Sequence, residues 1–377
     1  MHKVRGLRGL RFSIDQKVFS QAVHKSQRAA ATQSTFPILS GIMLEITDDD
    51  LVLSATDYEI SLQMTITGID VEQPGVSVLP ASILGDIIRR VPEDRVTLSV
   101  DSGNKATIKW GRSEVQINGF APQEFPALPE DAQDSGIKLD PVHLKKAIQQ
   151  TIFCAYRDET QPALTGLLFD FDDQHINVVA TDGARMALKN LDVLEGHLER
   201  EFIVPAKSMA EISRLLDEVS GPVTLRTTGS QAFFMTPDMV FTSRLIDAQF
   251  PRYKQILPSD YSTVMTLDRG PFLATCDRCQ LIASAQQGSP RVDLSMADEL
   301  LLVRSASKVG KVAEEVAATV DGDPLDISYD VRYLLDSLKN IANDEVRFEF
   351  TGKTSISRMR PADDEERLFY ILLPLQL

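Results

Sequence analysis

An α+β architecture built from repeated domains, with antiparallel sheets and one layer of helices, is predicted by three observations. They are a gapless internal repeat, the same order of strands and helices in each copy, and a length beyond a single core. The segment PILSGIMLEITDDDLVLSATD, Pro37 to Asp57, aligns without a gap with PALTGLLFDFDDQHINVVATD, Pro162 to Asp182. The residue numbers differ by 125, and the same spacing joins Asp15 to Asp140, Thr56 to Thr181, Pro80 to Pro205 and Phe125-Pro126 to Phe250-Pro251. Self-similarity at one long period marks duplicated structural units. A fainter third copy opens a helix at Leu267-Asp268, begins another at Tyr329 where Pro205 stood, and ends near Leu373-Pro374, with offsets drifting by two or three residues. At 377 residues the chain exceeds what one core usually holds.

Taken in order, FSIDQKVFSQAVHKSQ reads as a short strand entering an amphipathic helix, with Asp15 placed to cap it and Phe19 and Val23 on one face. LSGIMLEITD and DLVLSATD read as strands joined by a turn at Asp48, Asp49 and Asp50. In VLPASILGDIIRRV a helix starts beside Pro80, whose fixed φ suits a first turn, and RVTLSV, KATIKW and EVQING follow as strands. Each copy thus holds two strand-helix-strand-strand units, six units in all. The implied boundaries are an N-terminal extension at 1–10 and domains at 11–130, 131–258 and 259–377.

Composition narrows the function. The net charge of -15 argues, as a global sum, against nucleic acid, since phosphate binding needs Lys and Arg. The basic start MHKVRGLRGLRF leads into no apolar leader, and no run is long enough to span a bilayer, so the cytoplasm is the expected compartment. Cys154, Cys276 and Cys279 are too few for a disulfide framework. The CxxC of Cys276 and Cys279 lacks a second ligand pair and falls in a helical stretch, where i and i+3 pack on one face.

TGKTS, with Gly352, Lys353 and Thr354, has Arg347 where a phosphate-binding loop needs its first glycine, and reads as a hairpin turn. Asp172-Asp173 and the loop Asp363 to Glu366 read as solvated turns, and the five histidines are scattered. No catalytic residue, metal site or cofactor is expected. Basic residues recur in the helices instead: Lys17, Lys25 and Arg28; Arg89 and Arg90; Lys145 and Lys146; Lys207 and Arg214; Arg269 and Arg278; Arg332 and Lys339. Helices facing one way would pool these into a stripe able to track phosphates without reading bases. Ordinary solvated helix faces give the same pattern.

The strings FPILSGIMLEI, LVLSATDYEI, PALTGLLFDF, VVATDGARMAL, IVPAKSMAEI, FTSRLIDAQFPRYKQILP, YLLDSLKNI and the terminal YILLPLQL together resemble the bacterial β sliding clamps, the processivity subunits of DNA polymerase III. The resemblance runs in the family's order from about Arg11 to Leu377. It implies three DNA-clamp domains per chain and a head-to-tail homodimer closed as a ring. Helices would line the hole, and sheets would form the outer wall. The implied partners are double-stranded DNA without sequence preference and the clamp loader. The polymerase α subunit, other polymerases and repair proteins would dock through short linear peptides. A duplicated clamp serving repair or drug tolerance remains an alternative, separable by a processivity assay.

Carried over by position, the peptide groove would comprise Leu164, Thr181, Gly183, Arg185, Met186, Pro251, Ile256, Thr354, Ile356, Leu373, Pro374 and Leu375. Ala184, Gln255 and Gln376 depart from residues common in the family, so the groove's polar preferences are expected to differ. The DNA contacts would be Arg28, Lys145, Lys146, Arg157, Lys207 and Arg214, with uncharged Gln33 and Ser34 in a contact loop. The dimer seam would join Val115 to Leu281 and Ile282.

Overall fold

The computed structural model describes residues 9–47, 49–130, 136–172, 175–198, 201–285, 288–297, 299–363 and 365–376. Residues 1–8 of the expected extension, Asp48, Asp173, Asp364 and Leu377 lie outside the described residues.

The first copy runs β1 (Leu10–Asp15), α1 (Gln16–Ser26), β2 (Gly41–Thr47), β3 (Asp50–Thr56), β4 (Ile60–Ile66), β5 (Asp70–Gln73), β6 (Val76–Pro80), α2 (Ala81–Arg90), β7 (Arg95–Val100), β8 (Lys105–Trp110) and β9 (Ser113–Asn118). The second runs β10 (Ile137–Leu139), α3 (Pro141–Thr151), β11 (Gly166–Asp172), β12 (His175–Thr181), β13 (Arg185–Asp192), β14 (Glu195–Gly196), β15 (Phe202–Pro205), α4 (Ala206–Leu215), β16 (Val223–Thr227), β17 (Gln231–Thr236) and β18 (Met239–Arg244). The third runs β19 (Thr263–Asp268), α5 (Arg269–Ala283), β20 (Arg291–Ala297), β21 (Leu300–Ser307), β22 (Gly310–Gly322), β23 (Leu325–Asp330), α6 (Val331–Asn340), β24 (Glu345–Phe350), β25 (Ser357–Pro361) and β26 (Leu368–Leu372).

Two expectations change in detail. Strand β1 already includes Leu10, which is buried and pairs with Val100, although the extension was expected to run to residue 10. Tyr329 does not open a helix: it is a buried residue of β23, and Asp330 takes the cap, its side chain accepting from the Arg332 amide. The drift of the third copy lies at its start, where α5 has 15 residues against 11 in α1 and α3, and again in its last strands, where Leu372 takes the place of Ser243, 129 residues on. By β20 the register is restored, with Arg291 opposite Asp330 as Gly41 is opposite Pro80.

The chain divides into two compact units, Met1–Pro141 with Arg214–Leu245, and Val142–Ser213 with Ile246–Leu377. The first holds a sheet ordered β5-β1-β7-β8-β9 and an antiparallel run β10-β16-β17-β18-β4-β3-β2-β6. The second holds a sheet of twelve strands, β15-β11-β12-β13-β26-β25-β24-β19-β22-β21-β20-β23. In each, strands of successive copies join edge to edge: β4 meets β18 with Ile60 opposite Ser243, and β13 meets β26 with Arg185 opposite Leu372. Ile60 and Arg185 are repeat equivalents, so the same junction is built twice.

Helices pair over the sheets. The Asp15 carboxylate accepts from the Lys17 and Val18 amides, which starts α1 as predicted. Gln16 Nε2 donates to the Ile88 carbonyl at 2.6 Å and Gln27 Nε2 to that of Ala81 at 2.8 Å, tying α1 to α2. Gly85 makes this approach possible, because a Cβ there would stand 2.4 Å from Gln27 Nε2. Cys276 and Cys279 are buried on the inner face of α5, where burial pushes both thiols up, the latter to about 11.

The second unit also buries a carboxylate. Glu349 is 2% exposed and receives Arg358 Nε at 2.5 Å, Arg347 Nε at 2.9 Å and Arg360 Nε at 3.3 Å. Burial alone would raise its pKa, but the guanidiniums outweigh it and hold it below the ordinary carboxylate value. Glu349→Ala leaves three cations crowded without their anion and should cost about 3–5 kcal/mol in urea unfolding. Because the folded pKa is the lowered one, this stabilisation is complete above the unfolded value of about 4.3. It is lost as pH falls through the folded value. Glu349→Gln should therefore flatten the acid limb of the stability curve; an unchanged limb would refute this assignment.

Candidate functional site

All twelve expected groove positions lie in the second unit. Leu164 and Met186 belong to a buried cluster with Leu168, Val179, Leu188, Ile203, Phe250, Tyr253 and Ile371, and Ile356 packs against it. Thr181, Gly183 and Arg185 form the turn that enters β13. There Thr181 Oγ1 donates to the Arg185 carbonyl at 2.7 Å and Gly183, at φ +88°, donates its amide to Thr181 Oγ1. Positive φ is what glycine adopts at no steric cost, so Gly183 lets this turn close tightly. Pro251 and Ile256 flank buried Tyr253, whose backbone bonds to both. Thr354 sits exposed in the loop before Ile356.

The C-terminal residues are clipped across this surface. The Leu373 amide donates to the Ala184 carbonyl at 2.9 Å, and the Leu375 amide to the Ser328 carbonyl at 2.8 Å. Ala184 acts here through its backbone, which any side chain would preserve. Two apolar groups are left facing outward, Ile256 at 54% and Leu373 at 44% exposed. They stand where the rim of the expected groove would be, whereas Met186, at 2%, is sealed in the cluster beneath.

Arg185 is fully engaged. Its guanidinium lies between the Phe153 and Tyr333 rings, 5.4 and 4.6 Å from their centroids, and bonds Asp336 at 2.6 Å, Asp182 at 3.0 Å and the Phe153 carbonyl at 2.9 Å. Burial opposes the charge, but neighbouring Cys154, Asp336 and Asp182 outweigh it, and its pKa stands above the ordinary arginine value. Arg185 therefore braces the turn that enters β13. Tyr253, Asp336 and Ile371 fall within the family-like strings FTSRLIDAQFPRYKQILP, YLLDSLKNI and YILLPLQL but are not among the residues carried over to the groove. The apolar periodicity of β26 and of the segment after Phe250 also points to Ile371 and Tyr253.

The basic candidates fall into distinct settings. Lys25, one turn before Arg28, pairs with Glu218 at 2.7 Å, which brings the end of α1 to the end of α4 in the first unit and so sets Arg28 and exposed Arg214 at one junction. In the second unit, Lys207 is 95% exposed at the start of α4, 3.9 Å from Glu159 in the loop that carries exposed Arg157. Lys145 and Lys146 lie half-buried on α3, and Lys146 pairs with Glu366. Several other helix cations are neutralised locally, Arg278 by Glu314, Arg332 by Asp330, Lys339 by Asp277, and Arg89 and Arg90 by Asp86. A uniform basic stripe is thus interrupted on α2, α5 and α6, and by the paired Lys25 and Lys146 on α1 and α3.

Val115 lies on β9, at the end of its sheet's strand order. Leu281 is 76% exposed on α5, beside partly covered Ile282, whose Cδ1 stands 3.9 Å from where a Cβ on Gly310 would be. Among the described residues, no group of three His, Cys, Asp or Glu side chains is placed to hold a metal, and no helix is long and apolar enough to cross a membrane.

Comparison with known proteins follows the same lines. Residues 10–129 match the family described as DNA polymerase III beta subunit, N-terminal domain, 138–252 match its central domain, and 254–376 its C-terminal domain. The beta sliding clamp of Staphylococcus epidermidis is 30% identical over 376 residues, 97% of this chain and 99% of that protein. The DNA polymerase sliding clamp of Bacillus subtilis superposes with a TM-score of 0.93 at 30% identity, covering 98% of this chain and 99% of its own. A sliding clamp of Pseudomonas aeruginosa crystallised with griselimycin gives 0.91 at 26% identity, covering 98% and 100%. Three consecutive domain matches over a fold that repeats itself with the same internal junctions place this chain in the family of bacterial DNA polymerase III beta subunits, the β sliding clamps.

Proposed function

We propose that two copies of this chain close head to tail into a ring around duplex DNA in the cytoplasm and tether the replicative polymerase, the clamp loader and repair proteins by their short linear peptides. As a sliding clamp the chain is a non-catalytic processivity subunit in DNA replication. Its three clamp domains are assigned to 11–130, 131–258 and 259–377.

One observation carries the ring: the junction built twice within the chain leaves its two halves unused at the ends. Strand β9 is the repeat equivalent of β18, and β22 that of β4. In the described residues, β9 bonds only to β8, and the segment Gly310–Val316 of β22 bonds only to β21. Transposing the register in which Gln63 faces Val240 sets Ala313 opposite Val115 of the partner copy. An open strand edge is a template for pairing, and a heterologous contact that closes makes a ring.

A closed ring is held by topology, so its phosphate contacts can be weak. Arg28, Arg157, Lys207 and Arg214, with Lys145 and Lys146, are the positive charges this reading assigns to sequence-independent phosphate contact despite the net charge of -15. The apolar rim of Ile256 and Leu373 over a packed floor suits a peptide anchored by Leu or Phe, with nearby backbone and hydroxyl groups fixing its direction. Labelled protein loaded by a bacterial clamp loader onto primed circular DNA should stay bound through gel filtration and be released when a restriction enzyme linearises the circle. Equal retention on both forms would overturn the ring.

A further inference from the structure

We infer that a cavity in the first unit, the repeat counterpart of the peptide groove, is a second docking site for an extended, uncharged peptide segment that carries an aromatic side chain. This rests on the groove reading above. The cavity holds about 570 Å³, within the roughly 300–1,000 Å³ of ligand sites.

Its construction duplicates that of the groove. Thr56 Oγ1 donates to the Ile60 carbonyl at 2.7 Å, as Thr181 does to Arg185, and the Asp57 carboxylate accepts the Glu59 and Ile60 amides, as Asp182 accepts those of Ala184 and Arg185. The Arg244 amide donates to the Glu59 carbonyl at 2.9 Å, the counterpart of the clip from Leu373 to Ala184. The side chains differ, and they define the ligand. Ser61 stands where the groove has Met186, Gln231 where it has Ile356, and Arg244 where it has Leu373, so amide and hydroxyl groups replace much of the apolar wall. Among the described residues, the charged side chains lining the cavity are Arg244 and Glu59, which approach to 3.6 Å and balance each other; this favours a neutral occupant.

The position of Gly183 is taken by Tyr58, and Tyr58 keeps the left-handed backbone, at φ +75°. That conformation costs a non-glycine residue about 1–2 kcal/mol. It holds the Tyr58 ring edge-on to Phe36, with centroids 6.5 Å apart, and the two side chains are 53% and 59% exposed. Two rings at right angles with open faces make a notch for a third aromatic group. A second copy of this chain cannot enter by strand addition here, since β4 and β18 already pair with each other.

The test uses the full chain with the groove rim closed by Ile256→Glu and Leu373→Glu. Random heptapeptides displayed on phage are panned against it, and the enriched sequence is made with a fluorescein label and titrated by anisotropy. We expect aromatic heptapeptides that bind saturably and lose at least tenfold in affinity on Phe36→Ala or on Tyr58→Gly. Glycine is at home at φ +75°, so the second variant keeps the turn. Absence of aromatic enrichment, or unchanged affinity in both variants, overturns the proposal. Failure of the groove reading shows separately, as a polymerase-tail peptide binding equally to the parent chain and to the rim-closed protein.

Discussion

Replacing Ile256 and Leu373 together by glutamate should weaken binding of a fluorescein-labelled polymerase-tail peptide by at least about 100-fold while leaving the fold and the dimer intact. Both side chains are about half exposed, so a charge on either meets water in the free protein. In the complex they would be covered, and each, already half-buried, would forfeit about half of the roughly 1.5–3 kcal/mol of full side-chain burial. Setting a carboxylate against an apolar anchor at each position adds at least about 1 kcal/mol apiece, and together these exceed the roughly 2.7 kcal/mol that a 100-fold change requires. Unchanged affinity in a fluorescence titration would remove the groove from this surface. Met186, another of the twelve expected groove positions, is the wrong place for this test. It is 2% exposed within a closed cluster, so a charge there attacks the core before it reaches any ligand.

Leu281→Glu should convert the dimer to monomers in analytical ultracentrifugation, with association weakened by at least about 100-fold. Leu281 projects from α5 at 76% exposure, and Ile282 beside it reaches the start of β22, so both flank the strand edge assigned to the partner. Charging Ile282 should have the same effect with some loss of stability, since it is partly covered. A companion test uses Val115→Cys with Ala313→Cys, which should form an intermolecular disulfide on mild oxidation. The native cysteines, all buried, leave that readout clean. An unshifted dimer for Leu281→Glu, with no cross-link, would place the seam elsewhere.

The fold was legible where the repeat preserved the residues that punctuate the chain. Asp15, Pro80 and Asp268 sit at helix starts because their side chain or fixed φ suits a cap. Strand β4 was equally open to reading, since Ile60, Leu62, Met64 and Ile66 alternate and are buried, but a search built on matched strings passes over it. The third copy was blurred at its start by the longer α5. Its β21–β22 hairpin also pairs Ser307 with Gly310 where the other copies spend a Thr-Asp turn.

The site was less legible, because its partners are distant in sequence. Nothing near Arg185 announces Asp336, 151 positions away, and nothing near Lys146 announces Glu366, 220 positions away. Positive charge counted along a helix therefore overstated what reaches a phosphate. Exposure, which separates rim from floor, is set by packing that no local pattern encodes.

The open edges of β9 and β22 bear on cells that carry more than one clamp gene. Strand edges recognise each other through main-chain groups that every sequence shares, and choice among partners falls to the side chains around them. On the proposed seam those include Val115, Glu114 and Gln116 on one strand, and Lys311, Ala313 and Glu315 on the other, with Leu281 and Ile282 beside it. Two paralogues that agree at these positions would exchange subunits and form mixed rings, each offering two different grooves on one circle. Divergence at these positions would weaken mixed pairing and keep two populations of rings apart.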